Sequence, residues 1–150
     1  MATFFRIVQV QWADTAMRGD GARLHGGRWN PPGVPAVYLA ESRALAALEI
    51  LVHAPREALG LNWRILEVTV PDEWIESSKS AKLPADWREL PSSMGAREYG
   101  GRWLQTDALA LRLPSVVIPE ECTLLLNPRS PQAAGMKVSK PEVFRFDPRY

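Results

Sequence analysis

The sequence predicts an α+β fold with a sheet-dominated core and flanking helices. Short runs rich in β-formers recur along the chain, and two segments between them carry helical signals. No repeat, heptad or low-complexity run organises them otherwise. Residues 4–12 alternate imperfectly and are rich in β-branched and aromatic side chains, as an opening strand requires. Residues 13–33 form a long, polar, glycine-rich segment that reads as a loop, and unstructured loops of that length are commonly functional. It holds Arg18, Arg23, His25, Arg28 and Trp29, which is not a linker composition. Residues 35–39 predict a short apolar strand. Ser42 is the N-cap of a helix over Arg43–His53, which Pro55 closes. Residues 62–70 read as a strand ending at Pro71, and residues 72–91, with Pro84 and Pro91, as a polar excursion of short turns. Ser92 or Ser93 caps a second helix reaching to about Leu111, weakened by Gly95, Gly100 and Gly101. Residues 115–118 and 123–126 predict two buried strands, and residues 143–146 a last one.

Composition narrows the function classes. The 150 residues predict one domain over 1–150, long enough to bury about two thirds of the unfolded surface. The apolar share is 46% and the charged share 23%, ordinary for a soluble globular protein. The formal net charge of +1 gives no global field for nucleic acid or a membrane surface. One cysteine, Cys122, excludes an internal disulfide, suggests a reducing compartment and reads as a small core residue. No stretch approaches the ~20 apolar residues of a membrane span. Met-Ala-Thr-Phe-Phe-Arg-Ile has no basic segment before a long apolar run, so no signal peptide is expected and a cytoplasmic location is the default. Of the 18 basic residues, 14 are Arg, the better fork for phosphates and carboxylates. Genomic base composition alone would also give that bias, so particular positions must decide.

One acid stands out. Ala-Leu-Ala-Ala-Leu-Glu-Ile-Leu-Val, from Ala44, puts Leu45, Leu48 and Val52 on one side, with Ile50 and Leu51 covering much of the rest. A helix apolar all round is expected to be buried, which sets Glu49 near the interior or at a cleft edge. An unpaired buried carboxylate costs several kcal/mol, so Glu49 needs either an internal arginine partner or a task. At a cleft it would stabilise an oxocarbenium-like charge, orient a sugar hydroxyl or activate a nucleophile.

Its neighbours in sequence are suggestive. Gly26-Gly27 lets the backbone approach a ligand closely, and Arg28 follows at once, as a turn residue or as a bidentate clamp for phosphate or carboxylate. Tyr38 is either a core aromatic with its hydroxyl at the rim or a stacking face for a planar ring. Arg6, inside the first strand, either sits on the exposed face or points into a site. Ser115, following Pro114, is either a strand-end hydroxyl or a site residue. Other chemistries fit poorly. His25 and His53 lack a second His or Cys at ligand spacing, so no metal site is expected. Phosphate-loop, dinucleotide and nucleophile-elbow signatures are absent. The six Trp are not interleaved with basic residues in a way that would stack successive bases.

Taken together, these pieces resemble the RES family, named for its Arg, Glu and Ser. The matching segments are Phe5-Arg6-Ile7, Gly26-Gly27-Arg28-Trp29-Asn30, and Ala36-Val37-Tyr38-Leu39-Ala40-Glu41-Ser42 running into Ala47-Leu48-Glu49. Leu113-Pro114-Ser115-Val116-Val117-Ile118-Pro119 and Leu125-Leu126-Asn127-Pro128 follow. The block from Arg28 through Tyr38 to Glu49 is specific, the match at Ser115 less so, and residues 72–91 match nothing useful.

The resemblance implies the toxin half of a bacterial type II toxin–antitoxin pair, with an Xre-like antitoxin as partner. It implies the mixed, split β-core of ADP-ribosyltransferase toxins, with a cleft for NAD. The implied activity is cleavage of the nicotinamide–ribose bond, with water, inorganic phosphate or a protein as acceptor. NAD is then a substrate, and no cofactor is expected. Carried onto this chain, the implied catalytic positions are Arg28, Tyr38, Glu49 and Ser115. The implied NAD contacts are Arg6, Arg28, Tyr38 and Asn127. Arg28 and Arg6 would hold diphosphate or ribose oxygens, Tyr38 would stack on the nicotinamide or an adjoining ring, and Glu49 would stabilise the ribosyl cation. Ser115 would hydrogen-bond the ribose or fix an arginine. An antitoxin segment would plug the arginine-rich cleft, its carboxylates pairing with Arg6 or Arg28. Nucleic acid would be met through the antitoxin alone. Competing expectations are ADP-ribosyl transfer to a specific protein, a ribonuclease toxin using Arg, Glu and His25, and a non-catalytic binding module with Glu49 in a salt bridge.

Overall fold

The computed structural model describes residues 1–78 and 82–149. Among these residues eight strands form one mixed sheet: β1 (Ala2–Gln9), β2 (Val37–Ala40), β3 (Trp63–Val70), β4 (Ile75–Ser77), β5 (Ala110–Pro114), β6 (Cys122–Leu126), β7 (Lys137–Val138) and β8 (Glu142–Phe144). Their order is β4-β5-β6-β2-β1-β3-β7, with β8 also paired to β3. The β4–β5 pair is parallel and the others are antiparallel.

The pairing explains where a cleft can form. β1 and β3 stay in register from Ala2↔Val70 to Gln9↔Trp63. β1 and β2 share one register pair, Phe5↔Ala40. Beside it the Arg6 Nη1 donates to the Tyr38 carbonyl at 3.1 Å, so a side chain satisfies an acceptor that the neighbouring strand leaves unpaired. The sheet therefore splits into a β1-β3-β7/β8 half and a β2-β6-β5-β4 half, as the α+β expectation with a split core requires.

Three helices accompany it: α1 (Asp20–His25), α2 (Arg43–His53) and α3 (Met94–Trp103). Ser42 caps α2 by accepting from Leu45 N, and Ser93 caps α3 by accepting from Ala96 N. Buried apolar side chains gather in three main places. Phe4, Val37, Leu39, Val68, Val70, Leu124 and Leu126 fill one sheet face. Ile7, Trp63, Ile65 and Phe146 meet Leu45 and Ala46 of α2. Trp29, Leu111, Leu113 and Leu125 meet Ala96 and Leu104 around α3. With ~2 kcal/mol for each large apolar side chain removed from water, these clusters hold the two halves together across the split.

Several sequence expectations are corrected. The 13–33 segment is not a plain loop: a 3-10 turn spans Val10–Thr15, where the first strand was expected to continue, and α1 follows. α3 ends at Trp103, and β5 occupies part of the length expected to be helix. Its glycines mark close approach instead of helix breaking: a Cβ on Gly100 would lie 1.9 Å from the Trp29 carbonyl oxygen. Residues 115–118 are not a strand; they form the bend after β5, because Ser115 Oγ takes the local N–H groups that a strand would give to a neighbour. Residues 72–91 contain β4 and lie partly, at 79–81, outside the described residues. α2 is not buried all round. Leu45 and Ala46 face the sheet, whereas Leu48 and Val52 are 36% and 56% exposed, because one sheet face cannot cover every side of a helix.

Candidate active site

At the split, a cleft of about 870 Å³ opens between β1, β2, α2, the turn after α1 and the bend after β5. That is the size of a site for a drug- or nucleotide-sized ligand. Arg6, Arg28, Tyr38 and Glu49 all line it.

Arg28 sits on a tight turn. Gly27 N donates to Asn30 O at 3.0 Å, and the two residues form an isolated bridge with Arg28 and Trp29 at its tip. Gly27 has to be glycine: a Cβ there would lie 2.7 Å from Tyr38 Oη and 2.8 Å from Asn30 Oδ1. Trp29 points inward, 2% exposed, stacked near Trp87 with centroids 6.2 Å apart and edge-on to Tyr99. Arg28 points the other way. Its Nη1 donates to Trp87 O at 2.9 Å and to Glu89 O at 2.8 Å. Its Nε and Nη2 have no protein partner among the described residues, which leaves the side-on fork that matches two oxygens of a phosphate or carboxylate. Partial burial pulls the Arg28 pKa below the ordinary arginine value, and the charge of Glu49 opposes that shift. The two are thus in electrostatic reach across the cleft.

Arg6 is more deeply set. Burial lowers its pKa to about 10, so it stays a cation at neutral pH. Its Nε is buried and has no hydrogen-bond partner among the described residues. A buried cation with an unpaired donor is costly in a finished core, and an anion in the adjoining cleft would offset its charge.

Tyr38 ends its role as a polar group inside the protein. Its Oη donates to Asn30 Oδ1 at 2.5 Å and accepts from Trp29 N at 3.0 Å, and burial holds its pKa well above the tyrosine range. Tyr38 lines the cleft while its hydroxyl is committed to Asn30 and Trp29 N.

Glu49 lies one helical turn beyond Leu45, at the cleft edge with 31% of its side chain exposed. Ser115 Oγ donates to its Oε1 at 3.0 Å. That hydroxyl in turn accepts from Val117 N at 3.0 Å and Ile118 N at 3.2 Å, so its proton is directed at the carboxylate. Among the described residues the ion-pair partner of Glu49 is His53, at 3.9 Å, and no arginine is within ion-pair distance. The sequence reading offers Ser115 a ribose or an arginine; the structure places it 1% exposed with its hydroxyl on the acid. Asn127 is 2% exposed and lies outside the cleft wall, with Nδ2 bonded to Thr106 O and Ala108 O and Oδ1 accepting from Arg129 N. These bonds tie the loop after β6. The sequence assigns Asn30 no role, and the structure gives it one: a fully buried amide two residues after Arg28, bonded to the Tyr38 hydroxyl. Its signal in the sequence was an Asn between an arginine turn and Pro31-Pro32.

The arrangement defines a class: an α+β protein whose split sheet holds two arginines, a tyrosine face and an oriented carboxylate around one nucleotide-sized cleft. The chain belongs to the RES domain family, whose profile matches residues 3–147. It is 44% identical over 137 residues to the Prs ADP-ribosylating toxin of a Sphingobium species, covering 89% of this chain and 85% of that protein. It is 35% identical to a Toxin Res of Yersinia enterocolitica, covering 97% of each chain. The NAD(+) phosphorylase MbcT of Mycobacterium tuberculosis is 28% identical over 73% of this chain and 69% of its own length. The fold matches the crystal structure of the M. tuberculosis MbcT–MbcA toxin–antitoxin complex, with a TM-score of 0.73 and 19% identity over 96% of this chain and 84% of that one. Among the described residues no helix is long and apolar enough to cross a membrane.

Proposed function

We propose that this protein is the toxin of a toxin–antitoxin pair and that it cleaves the nicotinamide–ribose bond of NAD, depleting the cell of it. The observation that carries this reading is the convergence of Arg6, Arg28, Tyr38 and Glu49 on one cleft. Arg28, through its free fork, and Arg6, as a second cation in the cleft wall, suit the diphosphate and ribose oxygens. The Tyr38 ring suits a planar base, and since its hydroxyl is occupied it offers a face and not a proton. As the bond to nicotinamide breaks, the electron pair leaves with the base, which becomes neutral, and positive charge develops on the ribose. The Glu49 carboxylate, held by Ser115, is placed to stabilise that charge. Water adding to the sugar gives ADP-ribose and a proton; phosphate adding gives the ADP-ribose phosphate ester. NAD is the substrate in this scheme, and no resident cofactor takes part.

The proposed partner is an Xre-like antitoxin, and the proposed location is the cytoplasm, where NAD is available. Carboxylates of an antitoxin segment would complement Arg6 and Arg28 and so block the cleft. Names of relatives support the reading: one relative is a NAD(+) phosphorylase, and a structural match is a toxin–antitoxin complex.

A second reading has its own support. A relative at 44% identity is an ADP-ribosylating toxin, and exposed Val52 and Leu90 flank the cleft mouth, where a protein acceptor would dock. The test for both is nicotinamide release from NAD by the purified protein, with and without phosphate, beside Glu49→Gln. Release lost in Glu49→Gln supports cleavage, and the phosphate dependence names the acceptor. Release seen only with an added protein acceptor supports transfer. No release under any of these conditions refutes both.

A further inference from the structure

Asn30 is the most heavily bonded side chain near the cleft, yet it lies outside the cleft wall. It is 0% exposed. Its Nδ2 donates to Ala22 O at 2.9 Å, Val34 O at 3.0 Å and Pro31 O at 3.2 Å. Its Oδ1 accepts the Tyr38 hydroxyl, and its main-chain oxygen accepts Gly27 N. The Tyr38 hydroxyl in turn accepts Trp29 N. Every hydrogen-bonding group of this amide is therefore used, and the bonds connect α1, the turn and β2. Arg28 is the residue between the two tethered positions, Gly27 and Trp29. A side chain of this length on a loose turn would spread its guanidinium over several ångströms, and a displacement of ~1 Å is already costly for a positioned group.

We propose that Asn30 is a positioning residue for Arg28: it sets substrate affinity through the arginine turn without touching the substrate. The proposal rests on the reading that Arg28 holds NAD. An aspartate would keep the acceptor for Tyr38 but present carboxylate oxygens to three carbonyls, so asparagine is the side chain that fits both sets of partners.

The test is a cycle of NAD turnover in wild type, Asn30→Ala, Arg28→Lys and the double variant, with Ser130→Ala as a control. Ser130 is a buried polar side chain away from the cleft, its Oγ donating to Asp107 O, so its loss reports what mere destabilisation does. The expected result is a KM raised about tenfold by Asn30→Ala with kcat within about threefold, since an arginine bound in ground and transition state alike contributes uniform binding. In the Arg28→Lys background the same change should alter KM less than about twofold. Ser130→Ala should lower Tm and leave KM unchanged. An unchanged KM in Asn30→Ala, or an equal effect in both backgrounds, overturns the proposal. Limited trypsin digestion provides a readout independent of NAD. Cleavage after Arg28 should be faster in Asn30→Ala, and in the milder Tyr38→Phe, than in Ser130→Ala; equal cleavage overturns the positioning role. If wild type neither binds nor turns over NAD, the functional reading fails and the digestion still decides Asn30.

Discussion

Replacing Ser115 by alanine should impair catalysis through Glu49 and weaken the fold at the same time. Ser115 Oγ makes three bonds: it donates to Glu49 Oε1 and accepts from Val117 N and Ile118 N. A hydrogen bond to a charged group contributes about 1.5–3 kcal/mol, and each backbone N–H left without a partner costs about 1 kcal/mol or more when buried. Some relaxation of the bend and access of water reduce the sum, giving about 2–4 kcal/mol of lost stability. For a chain of this size that is a Tm lower by roughly 5–15 °C. The catalytic share is the bond that aims the carboxylate. Loss of about 1.5–3 kcal/mol of orientation energy lowers kcat by roughly 10- to 150-fold. The assay is nicotinamide release well below the new Tm, with kcat and KM separated and the folded fraction set by circular dichroism. The decisive step repeats Ser115→Ala in the Glu49→Gln background. If Ser115 acts through the acid, little further loss appears there. A full loss in that background would mean that Ser115 contacts the substrate directly, and a normal kcat in the single variant would refute the positioning argument.

The remaining predictions concern the two arginines and the tyrosine. Arg6→Met removes a buried cation with an unpaired Nε but also the donor to Tyr38 O, so Tm should change by only a few degrees, while NAD KM rises about tenfold or more; calorimetry and turnover read the two effects. Arg28→Lys loses the fork and one of the two carbonyl contacts, so KM should rise about tenfold or more and hydrogen exchange in residues 87–89 should quicken. Tyr38 predicts an alkaline effect. Its folded pKa is raised, so above the ordinary tyrosine value near 10 the unfolded chain releases a proton that the folded one keeps. This tyrosine's contribution to stability is complete below about pH 10 and declines as pH rises beyond it. Tyr38 should resist ionisation, read by ultraviolet absorbance, until the protein unfolds, and Tyr38→Phe should remove that resistant step.

The legibility of the fold followed from the range of the interactions involved. α2 was readable in full, because a Ser42 cap, an apolar helical pattern and a terminating Pro55 are all local. β3 was readable within one residue, since buried and half-buried side chains mostly alternate along it with the two-residue period of a strand. α1 was missed because its six residues hold two poor helix formers, Asp20 and Gly21, and its stability comes from bonds such as that from Asn30 to Ala22 O. The length of α3 was overestimated because the β5 segment, Ala110–Pro114, takes its conformation from pairing with β6 and β4, not from its own pattern.

For the site, the sequence by itself determined the chemical inventory: an arginine on a glycine turn, a tyrosine in a strand and a single acid on a helix whose other side is apolar. These follow from residue type and short spacing, which need no fold. The tertiary structure decided which partners each side chain meets. It aimed the Ser115 proton at Glu49 across 66 residues of chain, left Arg6 Nε without a partner among the described residues, and placed Asn127 in a loop tie outside the cleft wall. It also made Asn30 the tie behind Arg28. Hydrogen-bond geometry is sensitive to fractions of an ångström, and those are set by how the two halves of the sheet pack around the split. No local stretch of sequence carries that distance.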